Sequence, residues 1–390
     1  MIKFSTRGNI KFPLQLLLWN ILRKTEASLI SYFFDFDNSL IYTPLMFLGE
    51  FSAGLILYLY RKKFLKNKGK PYKYKSITIL RNKKYLKVID SKKKIYFLVF
   101  NSAFFDFVQF VLSLHTPKFV NLTGSIETRL GGFLTIFDAL FYFYVLRLNI
   151  YRHQFFSLII IGVCLFIIIF SEFFFQDINI FFSYGQLIIV IFLILIVQFF
   201  SAMVDSIEKY LFEYDKLDQF LALMFEGAFG FILSFIYGLF YNPFDDIAEF
   251  KRNKSTSDFA ILIFALILYF ILSGGINAFR VTTTKIYSPM TTTFVDYILN
   301  PFYIIYDFAS GVDYLLEGKR NYAYFIINLI LSFIISFFGF VYNEFLILFC
   351  FNLDRDTYKQ ISERSSSERE LSILSETVEV DDDEYTINFF

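Results

Sequence analysis

The sequence predicts an all-α polytopic membrane protein of about ten transmembrane helices, arranged as a five-plus-five inverted repeat. Apolar residues make up 56% of the 390 residues, and mean hydropathy is +0.52, whereas soluble domains are about 45–50% apolar. The apolar residues form long runs, and a spanning helix needs about 20 of them. The charged residues collect between these runs and in the C-terminal tail. Together these observations predict the fold class, a polytopic helical membrane protein.

Nine apolar runs are long enough to span a membrane. They cover residues 39–60, 95–114, 119–146, 154–173, 183–207, 218–241, 257–279, 287–309 and 322–350. A shorter tenth candidate, FPLQLLLWNIL at residues 12–22, runs into charged residues. It is a first span with a polar end, an interfacial helix or a signal peptide. No small-residue cleavage site follows clearly, which disfavours the signal peptide.

A basic segment, residues 61–94, sets the expected orientation. It holds 15 Lys and Arg against one Asp, and an excess of Lys and Arg marks cytoplasmic loops. Alternation of the spans then places 147–153, 208–219 and a turn at 280–285 in the cytosol. The acidic tail follows them there, and counting the weak first helix puts both termini in the cytosol. Three regions result: an N-terminal segment 1–38, a bundle 39–350 and a tail 351–390, which we expect to be disordered.

A weak similarity between two segments of the sequence supports the inverted repeat. The segments 116–129 and 284–293 each contain a short turn with a lysine, then a serine and a polar first helical turn. Lys118 falls outside and Lys285 falls inside, as an inverted repeat requires. Such repeats are common in transporters, where the solute binds at the repeat interface.

Several ionisable residues fall well inside the predicted spans: Glu50, Asp106, Arg129, Glu226 and Asp296. A charge at mid-bilayer costs about 2.5–3.5 kcal/mol on insertion scales, so such residues usually face the bundle interior. In a functional interpretation they line a cavity, where Arg129 attracts an anionic group and the carboxylates bind protons or cations. In a structural interpretation, a carboxylate only neutralises Arg129 and fixes helix packing.

Two further polar groups lie at predicted helix ends. Asp205, Glu208 and Lys209 end an apolar run, and we expect a solvated helix end there. The segment 275–300 is rich in threonine and reads as a tight cytosolic turn between two helices. Hydroxyl groups at the start of the second helix can satisfy backbone groups freed by Pro289, or bind a solute.

The sequence offers no set of residues for enzyme chemistry. It has only two cysteines, Cys164 and Cys350, and two histidines, His115 and His153, with no zinc-ligand spacing. No nucleophile–base set is recognisable. We therefore expect no enzyme, no metal and no cofactor.

Several segments, in order, resemble the drug/metabolite transporter superfamily, and within it the F branch of the solute carrier 35 family. The resemblance covers roughly residues 40–350. The matching segments are MFLGEFSAG at 46–54, Ser125–Gly131, Glu208-Lys209, Phe225–Phe231, Asn277 with Thr284, Lys285, Ser288, Thr291 and Asp296, and Val341–Asn343.

The resemblance implies a five-plus-five bundle that carries solutes by alternating access. Relatives carry nucleotide sugars across Golgi membranes, or small metabolites and drugs across vacuolar and lysosomal membranes. This chain departs from the branch at Arg280, where the branch has a small residue, and in the basic 61–94 loop. The FYNN and GALNK motifs of GDP-sugar carriers are absent, which counts against that substrate.

The sequence therefore predicts a secondary transporter of a small polar or anionic metabolite in an endomembrane such as Golgi, lysosome or vacuole. The alternative is a membrane scaffold or trafficking partner that uses the acidic tail and the basic loop. Expected partners are a solute and anionic lipid at 61–94, with a homodimer left open and no nucleic acid. The candidate substrate-binding residues are Arg129, Glu50, Asp106, Glu226, Asn277, Thr291 and Asp296, and the candidate gate residues are Lys285 and Ser288.

Overall fold

The computed structural model describes residues 2–4, 17–18, 21–22, 39–68, 92–120, 130–146, 150–175, 184–240, 256–286, 289–310, 315–316, 319–320, 322–349 and 353. Of the candidate site residues, Arg129 and Ser288 lie outside these ranges, and Asp296 is described only in its backbone. Most of the weak first span, most of the basic loop and nearly all of the acidic tail also lie outside them.

Ten helices of ten or more residues occur within the described ranges. They are α1 (Ser39–Lys68), α2 (Lys92–Val120), α3 (Phe133–Tyr144), α4 (Arg152–Phe175), α5 (Tyr184–Glu213), α6 (Gln219–Phe240), α7 (Thr256–Ile286), α8 (Pro289–Ile298), α9 (Asn300–Ser310) and α10 (Tyr322–Tyr342). Seven of these, α1, α2, α4, α5, α6, α7 and α10, are long and apolar enough to cross a membrane, and α3 is a shorter apolar helix. The chain is a multi-pass α-helical membrane protein.

Each of the nine predicted apolar runs contains helix, but several boundaries differ from the prediction. The turn expected at 116–118 is wrong, because α2 continues through it to Val120. The turn expected at 280–285 is wrong, because α7 continues through it to Ile286. The run 287–309 is divided into α8 and α9 at Leu299. The last run ends as helix at Tyr342 and not at 350. The ten spans and the inverted repeat stay predictions.

Two short antiparallel strand pairs complete the described structure. The last residues of the final apolar run form β4 (Leu346–Leu348), which pairs with β1 (Ile2–Phe4). This pairing explains why α10 stops early, since the backbone of β4 is extended and bonds to β1 instead of continuing the helix. The second pair, β2 (Leu315–Leu316) and β3 (Lys319–Arg320), lies between α9 and α10.

Glycines bring α1 into backbone contact with α6 and α7. A Cβ on Gly54 would lie 2.6 Å from the backbone nitrogen of Met224 on α6. A Cβ on Gly274 of α7 would lie 2.5 Å from the carbonyl oxygen of Gly49 on α1. Only glycine permits so close an approach, which is the usual way that membrane helices gain packing contacts. These contacts set α1 antiparallel to α6 and parallel to α7.

The rest of the bundle is held by two larger apolar clusters. The first joins α3, α4, α5 and α10 through buried residues that include Leu130, Phe133, Leu165, Val190 and Ile335. The second joins α2, α5, α6 and α7 through Val99, Leu211, Phe220, Leu223 and Val281. Many Phe, Ile and Leu side chains on the outer helix faces are exposed, including Phe166, Phe192 and Phe264. An apolar exterior is what a surface in contact with lipid requires.

Contacts at one end of the bundle join the segments that the charge pattern placed on one side. Arg61 near the end of α1 pairs with Asp218 at 2.8 Å. Lys94 near the start of α2 donates to the Tyr210 hydroxyl of α5 at 2.6 Å. Tyr214, just after α5, donates to the carbonyl oxygen of Leu146 at 2.9 Å. We call this the α5–α6 end, because the turn between those helices lies there.

Candidate functional site

Arg280 on α7 is the centre of a buried set of charged residues. Its Nη1 donates to Asp205 Oδ1 at 3.0 Å, and its Nη2 donates to Glu208 Oε1 at 2.5 Å. Its Nε donates to Asn277 Oδ1 at 3.2 Å. All three guanidinium nitrogens are therefore directed at side chains of α5 and α7, and hydrogen bonds between ionised groups are about twice as strong as neutral ones.

Asn277 extends this set of contacts to α1. Its Nδ2 donates to Glu50 Oε1 at 2.5 Å, while its Oδ1 accepts from Arg280. Asp106 on α2, which accepts from Gln109 at 2.7 Å, and Glu226 on α6 are within electrostatic range of Arg280. We call Glu50, Asp106, Asp205, Glu208, Glu226, Asn277 and Arg280 the central cluster.

Helical spacing explains how five helices build the central cluster. Asp205 and Glu208 are three residues apart on α5, and Asn277 and Arg280 are three apart on α7, so each pair lies on one helix face. Arg280 is six residues before the end of α7, which at 1.5 Å per residue places it about 9 Å inside the helix end. The central cluster thus lies well within the length of the bundle.

The central cluster is deeply buried and contains more acids than bases. Glu50, Asp205, Glu208 and Glu226 are each at most 4% exposed. Against five carboxyl groups it contains one guanidinium. Isolated buried charges cost several kcal/mol each after relaxation. Within the described part of the chain, one guanidinium cannot compensate the four buried carboxylates Glu50, Asp205, Glu208 and Glu226, so the arrangement calls for protons or other positive charge.

Two carboxylate oxygens in the central cluster have no hydrogen-bond donor within the described part of the chain. They are Glu208 Oε2 and Glu226 Oε1, and both are buried. Glu208 and Glu226, which come from α5 and α6, are close enough to interact electrostatically. Since an ionised carboxylate only accepts hydrogen bonds, these two oxygens can take a proton or a donor group of a bound molecule.

The structure brings four of the seven predicted substrate-binding residues into one place: Glu50, Asp106, Glu226 and Asn277. Thr291 lies elsewhere, because its Oγ1 donates to Asn343 Oδ1 beyond α10 at 2.7 Å. The positions of Arg129 and of the Asp296 side chain are outside the described structure. Whether any of these residues binds a solute stays a prediction.

Four residues of this region were missed or misjudged from the sequence. The expected solvated helix end at Asp205, Glu208 and Lys209 is wrong, since all three are at most 4% exposed. Arg280, expected in a cytosolic turn, lies in a helix and pairs with two of those acids. The physical reason is that Asp205 and Glu208 accept hydrogen bonds from Arg280, and the charge of Arg280 compensates theirs, so that all three residues can lie inside the bundle. The sequence signal for this site was the spacing of Asp205 and Glu208, which are three residues apart at the end of an apolar run.

Lys209 closes the end of α7. Its Nζ donates to the carbonyl oxygens of Thr284 at 3.0 Å and Lys285 at 3.3 Å, and pairs with Glu213 at 3.0 Å. The last carbonyl groups of a helix have no partner within the helix. The lysine supplies one from α5, which accounts for the continuation of α7 through the predicted turn.

The predicted gate residue Lys285 joins α7 to the α5–α6 turn. Its Nζ donates to Gln219 Oε1 at 2.7 Å. The same oxygen accepts from Arg61 Nη1 at 2.9 Å, and Arg61 also pairs with Asp218. We call Arg61, Asp218, Gln219 and Lys285 the end network. It links α1, α7 and the start of α6 at the α5–α6 end of the bundle, beyond the central cluster.

A second polar region lies where α3, α4, α8 and α10 meet. Asp138 on α3 is fully buried and accepts from Thr293 on α8 at 3.5 Å, and the Tyr342 hydroxyl contacts the Met290 sulfur. His153 lies 3.5 Å from Glu344. Among the described residues, no group of three or more His, Cys, Asp or Glu has an arrangement that could hold a metal ion.

No protein-family model and no curated protein matches the chain. Among solved structures, one described only as "Crystal structure of protein" matches with a TM-score of 0.51 and 8% sequence identity. The match covers 86% of this chain and 96% of that chain. At this identity the likeness concerns the fold alone, and it extends over nearly the whole of both chains.

Proposed function

We propose that the protein is a secondary transporter, which moves a small polar solute across an endomembrane by alternating access and binds it at the central cluster. The observation that carries the proposal is the central cluster itself: charged side chains from α1, α2, α5, α6 and α7 meet inside an apolar bundle. Ionisable residues inside membrane spans cost free energy and usually mark a path for solutes or ions.

Partial exposure at the centre supports a binding role. The Arg280 side chain is 21% exposed although its Asp205 and Glu208 partners are buried. Asp106 and Asn277 are likewise only half-buried. A purely structural ion pair inside a bundle is best sealed from solvent, whereas a binding site needs a surface that a solute can reach. The central cluster offers one.

The end network supports alternating access. Lys285 is five residues beyond Arg280 on α7, so it lies about 7.5 Å nearer the α5–α6 end. Its contacts with Gln219, and those of Arg61, join three helices above the central cluster. In this proposal they hold that end closed, and their release opens it. By the charge pattern this end faces the cytosol, with both termini on the same side.

The test is ligand binding followed by transport. Purified protein is heated with a panel of nucleotide sugars, nucleoside monophosphates, organic acids, amino acids, small peptides and organic cations. A ligand at 100 times its dissociation constant adds about 2.7 kcal/mol of stability. Any ligand that stabilises the protein is then tested for uptake into proteoliposomes.

Matched variants assign the result to a site. We expect Asn277→Ala to remove both stabilisation and uptake, and Arg129→Ala to do so if the solute is anionic. Lys63→Met, a change at an exposed position of α1, should leave both unchanged. Absence of any shift in well-folded protein would contradict a transporter and favour the membrane scaffold, whose activity would then depend on the acidic tail.

A further inference from the structure

We propose that the central cluster binds a solute with a positively charged nitrogen and exchanges it for a proton held between Glu208 and Glu226. This deepens the proposed function and rests on it. The solute would then be a cation, and not the anion that the sequence predicts to bind Arg129.

The charges of the central cluster favour a cation. Its four buried carboxyl groups, those of Glu50, Asp205, Glu208 and Glu226, face a single guanidinium within the described part of the chain, so full ionisation would leave an excess of three negative charges there. The charge of Arg280 is already compensated by Asp205 and Glu208, and each of its nitrogens donates to one of these acids or to Asn277, which weakens its attraction for an anion. Among the described residues of the central cluster, an anionic solute would therefore meet mainly repulsion from the acids.

Two buried oxygens mark where the positive charge sits. Glu208 Oε2 and Glu226 Oε1 accept no hydrogen bond from any described residue, and their residues are 0% and 3% exposed. Burying a charge without a partner is strongly unfavourable. A shared proton satisfies both oxygens in the absence of solute. A protonated amine or guanidinium donates N–H groups to the same two oxygens and also supplies the compensating charge.

The proton and the solute cannot bind at the same time. The oxygens that hold the proton are the ones that the solute nitrogen must contact, so the proton leaves to the aqueous phase when the solute binds. For a monovalent cation, one positive charge replaces one positive charge. The exchange is therefore electroneutral, and a proton gradient can drive the solute in the opposite direction.

Aromatic rings pack one helical turn from Glu50 and Glu226. Phe47 is fully buried on α1, one turn before Glu50, and its ring packs against α6 at Gly230, one turn after Glu226. The ring of Phe107 on α2 lies 6.5 Å from that of Phe47. Aromatic faces attract organic cations, by about 2 kcal/mol or more when the pair is desolvated. An organic cation thus has both a charge partner and an apolar wall here.

The experiment uses full-length protein in proteoliposomes loaded with a pH-sensitive dye at acidic internal pH. The probes added outside are guanidinium, methylguanidinium and ethylguanidinium as monovalent cations with N–H groups, uridine monophosphate and citrate as anions, and glucose as a neutral solute. We expect the cations to accelerate proton exit and the other probes to have no effect. Exit should continue when valinomycin and potassium clamp the membrane potential, because the exchange is electroneutral.

Variants locate the exchange. Glu226→Gln keeps the size of the side chain but cannot carry the exchangeable proton, and it should abolish cation-driven proton exit. Glu344→Gln, at a buried carboxyl group outside the central cluster, should retain it. A second measurement does not depend on variant folding: in weakly buffered detergent, each cation bound by wild-type protein should release about one proton.

The outcomes separate the two proposals. Uptake of an anion or a neutral solute without proton exit would overturn this inference and leave the transporter proposal standing. Proton exit that persists in folded Glu226→Gln would overturn the assignment to this pair. If no probe from the wider panel binds or moves, both proposals fall.

Discussion

The ammonium group of Lys209 on α5 lies 3.0 Å from the carbonyl oxygen of Thr284 on α7. A lysine of one spanning helix thus caps the end of another. The negative end of the α7 dipole and the unpaired carbonyl groups both favour a cation at this place. Because Lys209 is fully buried and also pairs with Glu213, its charge is compensated from two directions.

We expect Lys209→Met to destabilise the protein. Methionine fills a similar volume but leaves the last carbonyl groups of α7 and the Glu213 carboxylate without this partner. An unsatisfied buried group costs about 1–3 kcal/mol, and more if it is charged. A thermal unfolding scan measures the effect, and Lys63→Met at an exposed site should leave the melting temperature unchanged. Equal melting temperatures for both variants would mean that the cap does not contribute.

Close backbone contact makes Gly274 intolerant of any side chain. A Cβ there would lie 2.5 Å from the Gly49 carbonyl oxygen, so Gly274→Ala must push α7 away from α1. We expect a loss of about 1–3 kcal/mol, as for other overpacked interiors. The matched control is Gly238→Ala on α6, where a Cβ meets no atom within 4 Å. That change should be neutral or stabilise the helix by up to about 1 kcal/mol.

The geometry of Arg280 predicts that lysine cannot replace it. Lysine retains the charge but cannot reach Asp205, Glu208 and Asn277 together, since its single ammonium lacks the planar fork of guanidinium. We expect Arg280→Lys to fold with a reduced melting temperature. Arg280→Gln leaves two buried acids without a cation, and removing one partner of a buried pair costs about 3–5 kcal/mol. If Arg280→Lys matched the wild type, the forked contacts would be unimportant.

The end network should control access to the bundle interior. Gln219→Leu removes the oxygen that Lys285 and Arg61 share, and hydrogen bonds to charged groups are worth about 1.5–3 kcal/mol each. In a background with Cys164→Ser and Cys350→Ser, we place a cysteine at the buried position Thr283, between the network and the central cluster. Labelling by a membrane-impermeant maleimide should accelerate about tenfold or more, since each 1.4 kcal/mol is tenfold.

A control cysteine separates opening from unfolding. Ser157 is buried on α4 near the same end of the bundle, and its cysteine variant should label at an unchanged rate. Faster labelling at both positions would indicate general loosening and contradict the gate. No change at either position would show that Gln219 does not hold the end closed.

The helices of this protein were predictable because bilayer thickness dictates their length and polarity. Hydropathy located helix in every predicted run, and the contacts of Arg61, Lys94 and Leu146 with residues 210–218 agree with the grouping of their neighbouring segments at one end. Boundaries at polar ends were not predictable in the same way. The extension of α7 depends on Lys209, which is 75 residues from Thr284 in the chain, and no local pattern reports such a contact.

The central cluster was predictable in part for a similar reason. Glu50, Asp106 and Glu226 stand out as acids within apolar runs, so sequence alone identified them. Asp205 and Arg280 each lie near the end of a run, where solvent is the simpler expectation. Their burial depends on meeting each other, and partner choice between distant helices is a tertiary property. The spacing of Asp205 from Glu208 showed a shared face, but not what that face meets.

The glycine contacts of α1 have a mechanical consequence. Gly49 and Gly54 bring its backbone against α7 and α6. At these positions no side chains that could change rotamer lie between the helices. The three helices therefore move together at the level of these glycines, whereas at the α5–α6 end they are joined by the longer side chains of Arg61, Gln219 and Lys285. Any rearrangement that opens the bundle has to occur elsewhere, either where α5 faces these helices across long side chains such as Arg280 and Lys209, or at the end network. The helices would then move relative to one another where charged side chains join them, and they would stay fixed where glycines bring their backbones into contact.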